Sequence, residues 1–110
     1  MAVKDKVDDV LSRLFETITA RRDSDPKTSY TAQLLSAGRA QCAKKFGEEA
    51  VEAALAGVGD DRSALTQEAA DVLYHLLVLL VANGVSISDV AAILAKREGT
   101  SGIEEKASRA

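Results

Sequence analysis

Two acidic signatures stand out in the chain: Glu48-Glu49-x-x-Glu52, and Glu68-x-x-Asp71 at the head of a long apolar run. Side chains three or four apart share one face of a helix, so each signature presents its carboxylates together. From Ala69 to Ala82 only Asp71, Tyr74 and His75 interrupt the apolar residues. An ionised Asp71 in such company requires a compensating proton or cation. Carboxylates brought together from two helices repel one another unless their pKa values rise or a cation bridges them. An all-oxygen donor set selects hard ions, Mg²⁺ first and Mn²⁺ as a substitute. The competing reading is a solvated face, with Lys44 pairing to Glu48 and Lys45 to Glu49 one turn on, each pair worth roughly 0.3–0.5 kcal/mol.

Other chemistries have weaker support. A di-iron bundle pairs two Glu-x-x-His elements, whereas this chain holds one histidine, His75, which reads as a neutral core imidazole outside the metal set. Neither G-x-x-x-x-G-K-[ST] nor G-x-G-x-x-G occurs. A polyphosphate would therefore be held by metal ions and by Lys44, Lys45, Arg39 or Arg97, with Lys45 the preferred contact.

These groups need helices to position them. Val3, Val7, Val10, Leu11, Leu14, Phe15 and Ile18 recur at spacings of three and four, giving a first amphipathic helix. Around Asp23, Ser24, Asp25 and Pro26 the pattern lapses into a loop. Ser29 or Thr31 caps the next helical stretch, which runs to about Ala56 as one helix or two, with Gly38 and Gly47 as weak points. Asp60 or Asp61 caps the following helix, and Asn83-Gly84 closes it. The short link between these two implies an antiparallel pair. One seam runs Leu35, Arg39, Cys42, Phe46, Glu49, Ala53, and the other Leu65, Glu68, Val72, His75, Leu79, Ala82, so the acids point toward their interface. Ser86 or Ser88 starts a last helix, after which Gly99 to Ala110 reads as a tail that is mobile without ligand. No alternating strand pattern appears. The expectation is an all-α, four- to five-helix bundle forming a single domain over residues 1–110.

With 110 residues, 46% of them hydrophobic, the chain suits one small core, and burying its apolar run against a second copy favours a homodimer. A net charge of −3 argues against nucleic-acid binding. The single cysteine, Cys42, permits no internal disulfide and fits a reducing compartment. The N-terminus lacks the apolar core of a secretory signal, and Val72 to Ala82 is short of the ~20 apolar residues that span a bilayer. The expected location is the cytoplasm, with no membrane partner.

Glu49-x-x-Glu52 followed by Glu68-x-x-Asp71 resembles the metal motif of the all-α, MazG-like nucleoside triphosphate pyrophosphohydrolases. Ser29-Tyr30-Thr31, the run Lys44 to Ala50, the run Glu68 to Leu76 and the run Ser101 to Arg109 together resemble the phosphoribosyl-ATP pyrophosphohydrolases of histidine biosynthesis. The resemblance implies Mg²⁺-dependent hydrolysis of 1-(5-phosphoribosyl)-ATP to the AMP derivative and pyrophosphate, in a dimeric cytoplasmic enzyme of the stand-alone form, without a fused cyclohydrolase. By the same resemblance Glu49, Glu52, Glu68 and Asp71 are metal ligands, and Glu48 completes the shell or orients water. One of the carboxylates is the general base, with Glu48 and Glu49 the catalytic candidates. Ser29, Tyr30 and Thr31 join Lys45 and Arg97 as substrate contacts, and Tyr74 is expected to pack in the dimer core with its hydroxyl hydrogen-bonded. The alternatives are a housekeeping nucleoside triphosphate pyrophosphohydrolase and a non-catalytic helical dimerisation module.

Overall fold

The computed structural model describes residues 6–99 and 101–109. Among them every regular element is helical: α1 (Val7–Ala20), a 3-10 turn (Arg21–Asp23), α2 (Tyr30–Ala37), α3 (Arg39–Gly57), α4 (Arg62–Ala82), α5 (Ile87–Arg97) and α6 (Gly102–Arg109). The helical periodicity at Val3 lies outside the described residues.

Local chemistry accounts for most of the boundaries. Asp8 and Asp9 stand in the first turn of α1, where carboxylates meet the positive end of the helix dipole. The loop around Pro26 is a tight turn: the Asp25 carbonyl accepts from the amides of Thr28 and Ser29 at 3.0 and 3.1 Å. Its carboxylate accepts from the Lys27 amide at 2.9 Å. Ser29, not Thr31, caps α2, its hydroxyl oxygen accepting from the Ala32 amide at 3.1 Å. Gly38 divides the stretch that could have been one helix, with φ 99° and ψ 170°, a backbone region essentially reserved for glycine. Gly47 interrupts nothing and lies inside α3. Asp61 caps α4 by accepting from the Ala64 amide at 3.0 Å. Asn83 and Gly84, the latter at φ 70°, close it. Ser86 and Asp89 form a reciprocal capping box on α5.

Two expectations change. Among the described residues there are six α-helices: the stretch from Ser29 to Ala56 is two helices split at Gly38, one of the two readings expected, and α6 in the tail is the addition to the four or five expected. That tail is helical since Ser101 accepts from the Glu104 amide at 3.1 Å, a start signal hidden within a polar sequence.

Ile18 of α1, Ala32 and Leu34 of α2, Cys42 of α3, and Leu77, Val78 and Val81 of α4 form the core. The Cys42 thiol donates to the Leu34 carbonyl at 3.2 Å, satisfying its only polar group. Two arginines secure the C-terminal end of α4, where cations oppose the helix dipole. Arg22 donates to the Val81 carbonyl, and Arg39 donates to the Asn83 carboxamide oxygen at 3.4 Å. By length and composition α4 is the one helix among the described residues able to cross a membrane, yet one face of it, His75, Leu77, Val78 and Val81, is the floor of this core. The dominant packing is the α3–α4 hairpin, joined by the short link from Val58 to Asp61, whereas α5 and α6 contact the rest sparsely.

Candidate metal centre

The α3–α4 hairpin sets the register of the acids. Its turn centres on Gly59 and Asp60, so Glu49, about ten residues before it, faces the α4 positions about ten residues after it, between Glu68 and Asp71. One carboxylate oxygen from each of Glu49, Glu68 and Asp71 lies within 4.8 Å of the others. Opposite donors around a Mg²⁺ ion are about 4.2 Å apart, twice the ~2.1 Å bond, so small side-chain rotations would draw these oxygens onto one ion.

Glu49 and Glu68 are half-buried and Asp71 is exposed at the mouth. Burial raises the Glu49 pKa above its ordinary value; a hydrogen bond with Glu52 and the charges of Glu52 and Asp71 raise it further, against the lowering influence of Lys45. Burial also raises Glu68, assisted by the charges of Glu52 and Asp71. Glu68 Oε2 is sealed from solvent with no hydrogen-bond partner. A buried carboxylate oxygen without a donor is a costly arrangement that a cation relieves. The donor chemistry, the crowding and that orphaned atom all fit a hard divalent ion. Glu52 adjoins the three-oxygen group without joining it, bonded to Glu49 on the solvent side.

The other expected site residues fall into distinct places. Glu48 is exposed and pairs with Lys45 at 3.2 Å, a three-residue spacing in place of the four-residue pairs read from the sequence. That bond raises the Lys45 pKa, and the Lys45 ammonium also feels Tyr30 and Glu49. Thr31 and Tyr74 share a hydrogen bond of 2.5 Å between their hydroxyls, and Tyr74 packs against the core of its own chain. Tyr30 stacks against Tyr74 with ring centroids 6.4 Å apart and planes 21° from parallel. His75 meets Tyr74 edge-on at 4.9 Å. Burial, then the charge of Lys45, lowers the His75 pKa against an opposing pull from Asp71, so the ring is neutral at neutral pH. Arg97 occupies the last turn of α5.

Beside Lys45, away from the acids, opens a cavity of about 450 Å³ lined by Tyr30, Gln33, Leu34, Ala37, Gln41 and Lys45. Gln33 and Gln41 were not singled out from the sequence. The available signal was the spacing of four that places Gln41, Lys45 and Glu49 along one face of α3.

Residues 11–98 match the family model described as phosphoribosyl-ATP pyrophosphohydrolase. Over 99 residues the chain is 62% identical to the phosphoribosyl-ATP pyrophosphatase of Paracoccus denitrificans, spanning 90% of this chain and 92% of the relative. It is 60% identical over 100 residues to the phosphoribosyl-ATP pyrophosphatase of Dinoroseobacter shibae, spanning 91% and 98%. The same-named protein of Cereibacter sphaeroides is 58% identical over 100 residues, spanning 91% and 97%. With its acidic hairpin in place and the match running through nearly all of its helices, the chain belongs to the phosphoribosyl-ATP pyrophosphohydrolase family.

Proposed function

We propose that this chain hydrolyses phosphoribosyl-ATP to phosphoribosyl-AMP and pyrophosphate in histidine biosynthesis, using Mg²⁺, or Mn²⁺ in its place, held by Glu49, Glu68 and Asp71 with Glu52 completing the set. The observation that carries the metal assignment is the convergence of three carboxylates around an oxygen of Glu68 that has no other partner. The family membership supports the reaction.

When bound, the cation supplies Lewis acidity, offsetting phosphate charge and making water more acidic. The chain's own residues do the rest. Glu49 would accept a proton from a water whose oxygen attacks the α-phosphorus, forming the new P–O bond as the α–β anhydride bond breaks and pyrophosphate departs. Glu48 acts by holding Lys45, whose ammonium contacts a phosphate of the substrate. Ser29 and Thr31 fix the start of α2 and the Tyr74 hydroxyl, so they position Tyr30 against the substrate. Arg97 is assigned the substrate's other phosphate.

The working form is a cytoplasmic homodimer. The chain exposes 7977 Å², against roughly 5,800 Å² for a globular monomer of this mass. Its radius of gyration is 16.1 Å where ~13 Å is expected. Val51 and Leu55 on α3 and Val58 just past its end, with Leu65 and Leu73 on α4, are exposed apolar residues available to a second copy.

The test is chromatography of the products after incubation with phosphoribosyl-ATP and Mg²⁺. Wild type releases pyrophosphate, while Glu49→Gln and Asp71→Asn lose at least a hundredfold in rate, roughly 3 kcal/mol of barrier, and keep their helicity. Release of inorganic phosphate, a preference for ordinary nucleoside triphosphates, or full activity in both variants would overturn the assignment.

A further inference from the structure

The cavity between α2 and α3 is unused by the metal chemistry, and its lining is specific. Its volume of about 450 Å³ suits a small-molecule site, commonly 300–1,000 Å³. Tyr30 is 51% exposed and lines the cavity. The ring is nonetheless held, stacked on Tyr74 and met edge-on by His75 at 6.2 Å. Leu34 and Ala37 add apolar wall, and Gln33 of α2 and Gln41 of α3 line the same opening. An anchored aromatic ring beside amide side chains is the equipment for holding and reading a flat heterocycle.

Position along α3 says which part of a nucleotide belongs there. Gln41, Lys45 and Glu49 ascend one face in steps of four, so Gln41 lies eight residues, about 12 Å along the helix, from Glu49 of the acidic cluster. With the triphosphate at the cluster and a phosphate on Lys45, the next group along the substrate is the ribose and then the base. In this substrate N1 of the adenine carries the second phosphoribosyl group, which blocks the Watson–Crick edge. What remains for recognition is the N6/N7 edge, and a glutamine carboxamide matches it by accepting from N6 and donating to N7.

We propose that this cavity is the purine subsite, with Tyr30 as the stacking platform and Gln33 and Gln41 as the residues that read the N6/N7 edge. The inference deepens the reaction proposed above and rests on it for the identity of the base. Gln33 and Gln41 are specificity-determining residues with no role in the bond cleavage itself. Tyr30 contributes its ring and not its hydroxyl, so Tyr30→Phe preserves binding where Tyr30→Ala does not.

Steady-state kinetics and amide NMR test this together. Gln33→Leu and Gln41→Leu, which keep bulk and remove the amide, raise KM for phosphoribosyl-ATP roughly tenfold while kcat falls less than threefold. AMP added to the wild type shifts the side-chain amide signals of Gln33 and Gln41, and 7-deaza-AMP, which lacks the N7 acceptor, binds roughly tenfold more weakly. In the variant lacking the N7 donor the two ligands bind alike. Pyrophosphate release with an unchanged KM in both glutamine variants would sink the subsite and leave the reaction standing. A wild type that makes no pyrophosphate while AMP still shifts both amides would do the reverse.

Discussion

Glu68 is asked to keep a charge where neither water nor a donor reaches its Oε2. A carboxyl whose folded pKa is raised contributes stability below its unfolded value, and that contribution disappears as pH climbs through the folded value. Glu49 and Glu68 are both raised from 4.5, so the metal-free fold gains stability as pH is lowered from neutrality toward about 4.5. A bound cation inverts this, since it needs the ionised forms. Thermal melts in chelator should therefore give a Tm that rises between about pH 7.5 and pH 5, whereas added Mg²⁺ raises Tm at pH 7.5 and loses its effect toward pH 5. Glu68→Gln separates the two contributions: it should raise the Tm of the metal-free protein at neutral pH and abolish the response to Mg²⁺. An identical Mg²⁺ response in this variant would exclude Glu68 from the ligand set.

At the scale of elements, the two glycines of the α2–α3 region have opposite meanings. Gly38 occupies a conformation that a side chain resists, with nothing within 4 Å of an added Cβ, so Gly38→Ala is opposed by the backbone alone and should destabilise by about 2 kcal/mol. Gly47 is helical with equally open surroundings, and Gly47→Ala should stabilise by about 0.5–1 kcal/mol. Urea unfolding of the two variants beside the parent checks both signs. Sequence alone made both positions weak points in one stretch, because residue type does not reveal φ. The acidic hairpin was legible for the opposite reason: three-and-four spacing and a short link fix which side chains share a face, so Glu49, Glu68 and Asp71 could be brought together on paper. What spacing could not decide was how neighbouring side chains choose partners. Lys45 took Glu48 and not Glu49. Gln33 and Gln41 gained significance only once Gly38 had turned α3 back beside α2. The helix α6 was missed because a single serine cap, not a hydrophobic repeat, starts it.

Over the whole molecule, the core is small for the surface it must organise. Leu55 is 66% exposed and Val58 86%, at the end of the hairpin where Leu65 approaches within 4.0 Å of Gly57's missing Cβ. A second copy would cover these residues. Sedimentation over a concentration series should show a dimer, and Leu55→Glu combined with Leu73→Glu should shift it to monomer and lower Tm, because like charges would then be forced into a desolvated contact. A wild type that stays monomeric at every concentration would contradict the proposed interface. The same two substitutions leave the Glu49, Glu68 and Asp71 carboxylates untouched, so Mg²⁺ binding by the monomer would show that the ion site belongs to one chain.

All three oxygen donors come from a single uninterrupted stretch of chain, Glu49 to Asp71. Assembling them demands no long-range closure, only that one hairpin shut. An ion held there would bind more tightly with α3 and α4 packed than apart, and would act as a clasp on that unit. Hydrogen exchange would register this as slowed opening of α3 and α4 specifically, while α1 and α2 continue to breathe at their own rate.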